Sequence, residues 1–302
     1  MPAVTVATCQ FPVSADVSAN LGHITRQIRA AARRGADVVQ FCEGALSGYS
    51  GVDLPSFDGF DWAALRQATL AVLDAAREAG VWVVLGSAHP LSGPARPHNC
   101  LYVIDSTGQI VERYDKRFCG GEDLRHYSPG DHFSTWTING IRCGALICYD
   151  YRFPELYREY LRRGVQLMFH SFHAGNRSRA TMAGIGEQIG PQLARLNRAA
   201  SFTYPGITMP ASMTAAAASS YMWISCANTS AAESCWPAFM VRADGITVGR
   251  LRRNVAGVLV TTVDTDAVPY DSTVAWRGRA LAGQLHSGTV PADPRSADRA
   301  TI

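Results

Sequence analysis

The chain has 302 residues, 47% of them apolar and 18% charged, a composition that fits a folded globular protein with a large core and excludes disordered, collagen-like and low-complexity chains. Lys and Arg number 28 against 25 Asp and Glu, and a formal charge of +3 over this length is no footprint for nucleic acid or an anionic membrane, so a small ligand or a protein partner is expected. Eight cysteines without a C-x-x-C pair are expected to be mostly reduced and buried, and the start MPAVTVATCQF lacks the cationic head and long apolar run of a signal peptide; together these predict a cytoplasmic protein.

Val4 to Cys9 is apolar and β-prone, and a helix follows with Leu21, Ile24, Ile28 and Ala31 at spacings of three and four. Asp37 to Cys42 then completes a βαβ unit. A second helix, Asp61 to Ala79, turns Trp62, Leu65, Val72 and Ala76 inward, stops at Gly80 and runs into the strand Val81 to Leu85. Two hairpins come next: Leu101–Ile104 with Gln109–Val111 through Asp105 to Gly108, and Phe133–Ile138 with Ile141–Ile147 through Asn139-Gly140. Pro154 opens a helix to Arg163, Gly164 ends it, and Val165 to His170 reads as a buried strand. A late hairpin, Phe239–Val241 with Ile246–Val248, resembles the first one, either through internal pseudo-symmetry or because hairpins ending in Gly are common. From Ala199 to Ala232 there is no charged residue, yet Pro205, Gly206, Pro210 and many small residues argue against a membrane span and for burial in the core or at a subunit interface. Helices interleaved with strands imply a mixed α/β sheet covered by helices. One domain over residues 1–286 is expected, with 287–302 as a tail or an arm over a neighbouring subunit.

The stretch richest in chemistry is GALICYDYRFPEL, residues 144–156: an apolar strand, Cys148, a polar turn and a helix start. A sulfur at a strand end is rigidly held, and the turn after it can aim backbone N–H groups at an oxyanion. Taken alone, Cys148 reads first as a core cysteine, because free Cys is among the most often buried residues. Asp150, Arg152 and Glu155 so close to an apolar strand need partners, and Arg152 and Glu155 are read as serving in a structural ion-pair cluster. A thiol attacking a carbonyl or nitrile also needs a base and a positive charge. Glu43, at the end of the strand Asp37 to Cys42, and Lys116, after the strand ending near Asp115, are the candidates, and strand ends of one sheet commonly converge on a site.

In order and context these segments resemble the nitrilase superfamily of carbon–nitrogen hydrolases, in its amidase-like branch. DVVQFCEGALSGY (37–49) is similar to the family's glutamate segment, YDKRF (114–118) to its lysine segment and GALICYDYRFPEL to its nucleophile segment, with likeness extending from about residue 3 to 263. The resemblance implies a four-layer α-β-β-α sandwich, no cofactor and no metal, and pairing into a homodimer or higher homo-oligomer. It implies Glu43 as general base, Cys148 as the nucleophile forming a thioester, Lys116 as the cation meeting the tetrahedral intermediate, and the backbone N–H of Tyr149 as the second oxyanion donor. It also implies a second acid, Glu122 or Asp123; apart from the resemblance, Tyr49 and His173 are expected at the substrate. The implied reaction is hydrolysis of a small linear amide with release of ammonia; an N-carbamoyl hydrolase or a nitrilase of the same fold, and a non-catalytic scaffold, are the alternatives.

The chain also departs from the family pattern. Cys42 stands where many members have Pro before the glutamate, and Ser171-Phe172-His173 where many have a small or Pro-containing run. His170-x-x-His173 admits a metal-site reading, and His173 as the base of a Cys–His hydrolase is a further rival. A substrate carboxylate could extend toward His173, Arg177 and Arg179, unless those arginines are solvated surface.

Overall fold

The apolar stripes of the first two helices are what those helices bury. In the computed structural model, which describes residues 2–197 and 203–300, strand β1 (Ala3–Gln10) leads to helix α1 (Val17–Ala32), whose Ile24, Ile28 and Ala31 are fully covered. Asp16 caps α1 by accepting from the N–H groups of Ser18 and Ala19. After β2 (Val38–Gln40), helix α2 (Trp62–Ala79) buries Leu65, Ala68, Val72, Ala75 and Ala76. Asp61, expected inside this helix, is its cap, and Gly80 ends it at φ 65°. Strands β3 (Trp82–His89), β4 (His98–Ile104) and β5 (Ile110–Asp115) complete a sheet of order β12-β1-β2-β3-β4-β5, with β1, β2 and β3 parallel and the others antiparallel.

A second sheet forms from β6 (Thr135–Ile138), β7 (Ile141–Ile147), β8 (Leu167–Ser171), β9 (Trp223–Ala227), β10 (Phe239–Val241) and β11 (Thr247–Arg250), while β12 (Gly257–Asp264) returns to the first. The turn joining β6 to β7 has Asn139 at φ 49° and Gly140 at φ 83°, the paired left-handed conformations of a type I′ turn. The order β11-β10-β9-β8-β7-β6, with β7, β8 and β9 parallel, repeats the plan of the first sheet: an antiparallel edge strand, three parallel strands and a closing hairpin. Both closing hairpins carry a register shift, between Val103 and Ile104 and between Met240 and Val241. The similar turns at Gly108 and Gly245 therefore occupy equivalent places in two equivalent sheets.

Alternation along β1 assigns its two faces. Val4 and Val6 join the core between the sheets, where Thr8 meets Ser225 of β9 at 2.6 Å, and Ala7 and Cys9 join the core beneath α1 and α2. Helix α3 (Pro154–Arg162) begins at the predicted proline, and after α4 (Arg179–Glu187) and α5 (Gly190–Leu196) comes α6 (Tyr204–Ser220). Helices α3 and α6 cover the outer face of the second sheet with Leu156, Tyr157, Tyr160, Met209, Met213 and Ala217. The result is the four-layer α-β-β-α sandwich.

Within the uncharged stretch Ala199–Ala232, α6 and the fully buried β9 belong to the chain's own core; residues 199–202 lie outside the described residues. After β12 the chain continues through α7 (Arg277–Leu281) and α8 (Pro294–Ala297), leaving Val268, Tyr270, Val274, Trp276, Leu285 and Val290 largely exposed. All eight cysteines are unpaired, and six of them are buried. Among the described residues no helix is long and apolar enough to cross a membrane.

One strand departs from the sequence pattern in a way that builds the site. Asp37 to Cys42 predicts a six-residue strand, but β2 pairs only over Val38–Gln40. Phe41 N–H still bonds the carbonyl of Val84 in the first sheet, whereas Glu43 N–H bonds the carbonyl of Phe172 beside the second. The chain thus crosses between the sheets at Glu43. Gly86 makes room for this: a Cβ there would lie 1.9 Å from the Cys42 carbonyl oxygen.

Candidate active site

Three strand ends deliver the three predicted groups to one place. Glu43 arrives on the diverted end of β2, Lys116 directly after β5 and Cys148 directly after β7, and the two charged side chains are essentially fully buried. Lys116 Nζ donates to Glu43 Oε1 at 2.8 Å and to Asp123 Oδ2 at 2.7 Å. Asn99 Nδ2 donates to the same Oε1 at 2.7 Å, and the main-chain N–H of His173 donates to Oε2 at 2.9 Å. The Cys148 thiol lies close enough for the Glu43, Lys116 and Asp123 charges to act on it.

Cys148 has φ 41°, the left-handed region that L-residues rarely adopt. The buried carboxylate of Asp150 holds the turn there. It accepts from Ile147 N–H, Phe118 N–H and Tyr114 OH, each at 2.9 Å, so it ties the strand before the cysteine to the loop after Lys116. Burial nevertheless raises its carboxyl to about 6, against the lowering effect of those hydrogen bonds and of Lys116.

The charges decide the thiol's resting state. One ammonium faces two carboxylates, so burial and then the Glu43 charge hold the Cys148 thiol well above its ordinary value, with Lys116 pulling the other way. Burial opposes the Lys116 charge too, but Glu43 and its other anionic neighbours outweigh it and keep the ammonium protonated. At Asp123 burial is outweighed by the Lys116 ammonium and its hydrogen bond, and the carboxyl stays below the usual range. A protonated thiol near a carboxylate and a permanent cation is suited to acyl transfer: the carboxylate can take the proton as the sulfur attacks, and the cation can meet the oxyanion that forms.

The remaining predicted residues separate into those the fold gathers and those it does not. Asp123 is in the cluster. Glu122, its neighbour in a single 3₁₀ turn, is 81% exposed and pairs with Arg125. Tyr149 begins the turn after Cys148 with its ring half exposed against Phe153. Tyr49, expected at the substrate, commits its hydroxyl to Asp123 and stacks its ring on His173, centroids 5.0 Å apart. The His173 imidazole has no exposed surface, and its Nε2 lies 2.8 Å from Asp53 Oδ2. This corrects the expectation of His173 as a substrate contact, because a fully covered ring offers a ligand no face. His170 bonds Tyr157 OH and the Cys148 carbonyl, so neither histidine is placed as a base on the Cys148 thiol.

Arg152 and Glu155 form no ion pair with each other: Arg152 lies over the Tyr151 and Tyr204 rings, and Glu155 is exposed. Arg179 is exposed at the start of α4, and Arg177 pairs through its backbone with Glu233. Among the described residues no three His, Cys, Asp or Glu side chains are grouped as metal ligands require. Asn99, Asp53 and the anchoring role of Asp150 were not foreseen. Asn99 does carry a weak signal, an amide two residues before the apolar run Leu101–Ile104.

Comparison with known proteins follows the same lines. The family described as carbon-nitrogen hydrolase matches residues 5–270. The chain is 29% identical over 181 residues to the omega-amidase NIT2 of Mus musculus, covering 56% of this chain and 63% of that protein. It is 30% identical over 138 residues to the 2-oxoglutaramate amidase of Bacillus subtilis, covering 45% and 52%. The matched stretches thus span less than two thirds of these relatives' lengths. Among solved structures, an amidase from Nesterenkonia sp. superposes with a TM-score of 0.70 at 22% identity over 93% of this chain and 96% of that one, a likeness of fold.

Proposed function

The chain belongs to the carbon–nitrogen hydrolase family, and on that premise we propose that it hydrolyses a small linear amide through a Cys148 thioester and releases ammonia. The observation that carries this reading is the convergence of the Cys148 thiol, the Glu43 carboxylate and the Lys116 ammonium from three strand ends. Glu43 takes the thiol proton as Cys148 Sγ attacks the amide carbon, and the carbonyl oxygen becomes an oxyanion facing Lys116 Nζ and the Tyr149 N–H. Glu43 returns that proton to the nitrogen as the carbon–nitrogen bond breaks, so ammonia leaves and the thioester remains. Water then attacks the thioester, Glu43 accepts its proton and passes it to the departing sulfur, and the carboxylic acid is released. One carboxylate serves both halves, in keeping with its place beside the ammonium and near the thiol.

An amide is favoured over a nitrile on two grounds. Cys148 is followed by Tyr149-Asp150, the pattern of amidase-like branches, whereas nitrile-cleaving relatives usually carry Trp-Glu there. An amide also develops its charge on an oxygen that Lys116 and a backbone N–H can meet. The test is ammonia release from a panel of short ω-amides, N-carbamoyl amino acids, formamide and aliphatic nitriles. Turnover of at least one amide above all nitriles is expected. Efficient conversion of nitriles to acids without amide activity would replace this reading with a nitrilase, and preference for N-carbamoyl substrates with a carbamoyl hydrolase.

A further inference from the structure

Two residues outside the thiol, carboxylate and ammonium set are tied into it by several independent contacts. Asp53 Oδ2 lies 2.8 Å from His173 Nε2 and accepts from the Tyr49 N–H at 2.9 Å, while Oδ1 accepts from Asn176 Nδ2 at 2.9 Å. The side chains of Asp53 and His173 have no exposed surface. From this pair two arms reach the site. His173 N–H holds Glu43 Oε2, and the His173 ring stacks on Tyr49, whose hydroxyl holds Asp123, which in turn holds Lys116.

The contacts close a ring from Glu43 through His173, Tyr49, Asp123 and Lys116 back to Glu43, and Asp53 pins the segment carrying Tyr49 to the segment carrying His173. We propose that Asp53 and His173 are a positioning pair that aims Glu43 at the Cys148 thiol. The pair touches no reacting atom. It works by fixing the loop after β8 and the loop after β2 to each other, so that the carboxylate entering from one sheet meets the main chain of the other in one geometry. At Asp53 burial opposes the charge but is outweighed by the adjacent His173 imidazole and then by Asn176 and the Tyr49 N–H, so the carboxyl is held below its usual range as a stable acceptor.

The turnover half of the test rests on the amide hydrolysis proposed above; the alkylation half does not. His173→Leu keeps the volume against Tyr49 and breaks the pair, and His173→Gln restores a donor toward Asp53. Two quantities are measured for each: kcat and KM for ammonia release from the best amide of the panel, and the second-order rate of Cys148 alkylation by iodoacetamide, which requires the thiol to give up its proton. His173→Leu is expected to lower both kcat and the alkylation rate roughly ten- to hundredfold with KM within about twofold of wild type, as a small misplacement of a catalytic group does. His173→Gln is expected to recover most of the loss. An unchanged alkylation rate in His173→Leu, a rise in KM alone, or equal impairment of the Leu and Gln variants overturns the proposal. Should His173→Leu not fold, Asp53→Ala against Asp53→Asn decides on the same criteria. If no amide is turned over, the alkylation rates still decide.

Discussion

Cys148→Ala is expected to lower amide hydrolysis by roughly 10⁴-fold or more, as removal of a nucleophile does, while leaving thermal unfolding within a few degrees of wild type. The stability half follows from the backbone. Cys148 is held at φ 41° by Asp150 and its three donors, and alanine, which has the same Cβ, meets the same conformational cost. Cys148→Ser is expected to keep only a trace of activity, because the burial and nearby carboxylates that hold the thiol protonated act on an alcohol that is far harder to ionise. Ammonia release and a melting curve on the same preparation check both halves. Normal turnover in the Ala variant would remove Cys148 from the mechanism.

Lys116→Met is expected to have the largest effect on stability, about 3–5 kcal/mol, since it leaves the Glu43 and Asp123 carboxylates in a buried site without their cation. Activity should fall by roughly 10²–10³-fold as the charge facing the oxyanion is lost. The pH dependence distinguishes this from simple loss of packing. In the wild type the Asp123 carboxyl lies below its unfolded value, so its contribution is complete above about pH 4 and is lost only as pH falls through the lower folded value. Without Lys116 only the Tyr49 hydroxyl and the Gly120 N–H still oppose burial, the largest influence on Asp123, and its carboxyl is expected to rise above the unfolded value. The folded variant then binds protons more tightly than the unfolded chain and loses stability as pH rises from about 4 through that raised value. Urea unfolding at pH 5 and pH 8 should therefore show the variant's deficit growing toward pH 8. A deficit below about 1 kcal/mol that is equal at both values would contradict the buried ion cluster.

Local pattern reached far into this fold because the elements that bear the site are local. The three-and-four spacing of α1, the proline opening α3, the Asn139-Gly140 turn and the strand ends before Lys116 and Cys148 are each set by a few neighbouring residues. What pattern did not reach depends on distant partners. The early end of β2 is permitted by Gly86, on another strand, whose missing side chain lets the Cys42 carbonyl approach. Glu122 and Asp123 are adjacent in one short turn and face opposite environments, so residue type could not separate them. The place of His173 after a buried strand does not reveal that its ring is covered, because its neighbour, Asp53, lies in a loop with no periodic signal. Arg152 was assigned an acid and found two tyrosine rings, since a planar guanidinium stacks as readily as it pairs.

The proposed mechanism turns on a covalent intermediate at Cys148. Protein quenched in acid during steady-state turnover of the best amide, then measured by intact mass and peptide mapping, should show a fraction of molecules heavier by the acyl group, with the adduct on Cys148 and absent from Cys148→Ala. Turnover at the full rate with no adduct on Cys148, and undiminished after iodoacetamide has alkylated that residue, would contradict the account.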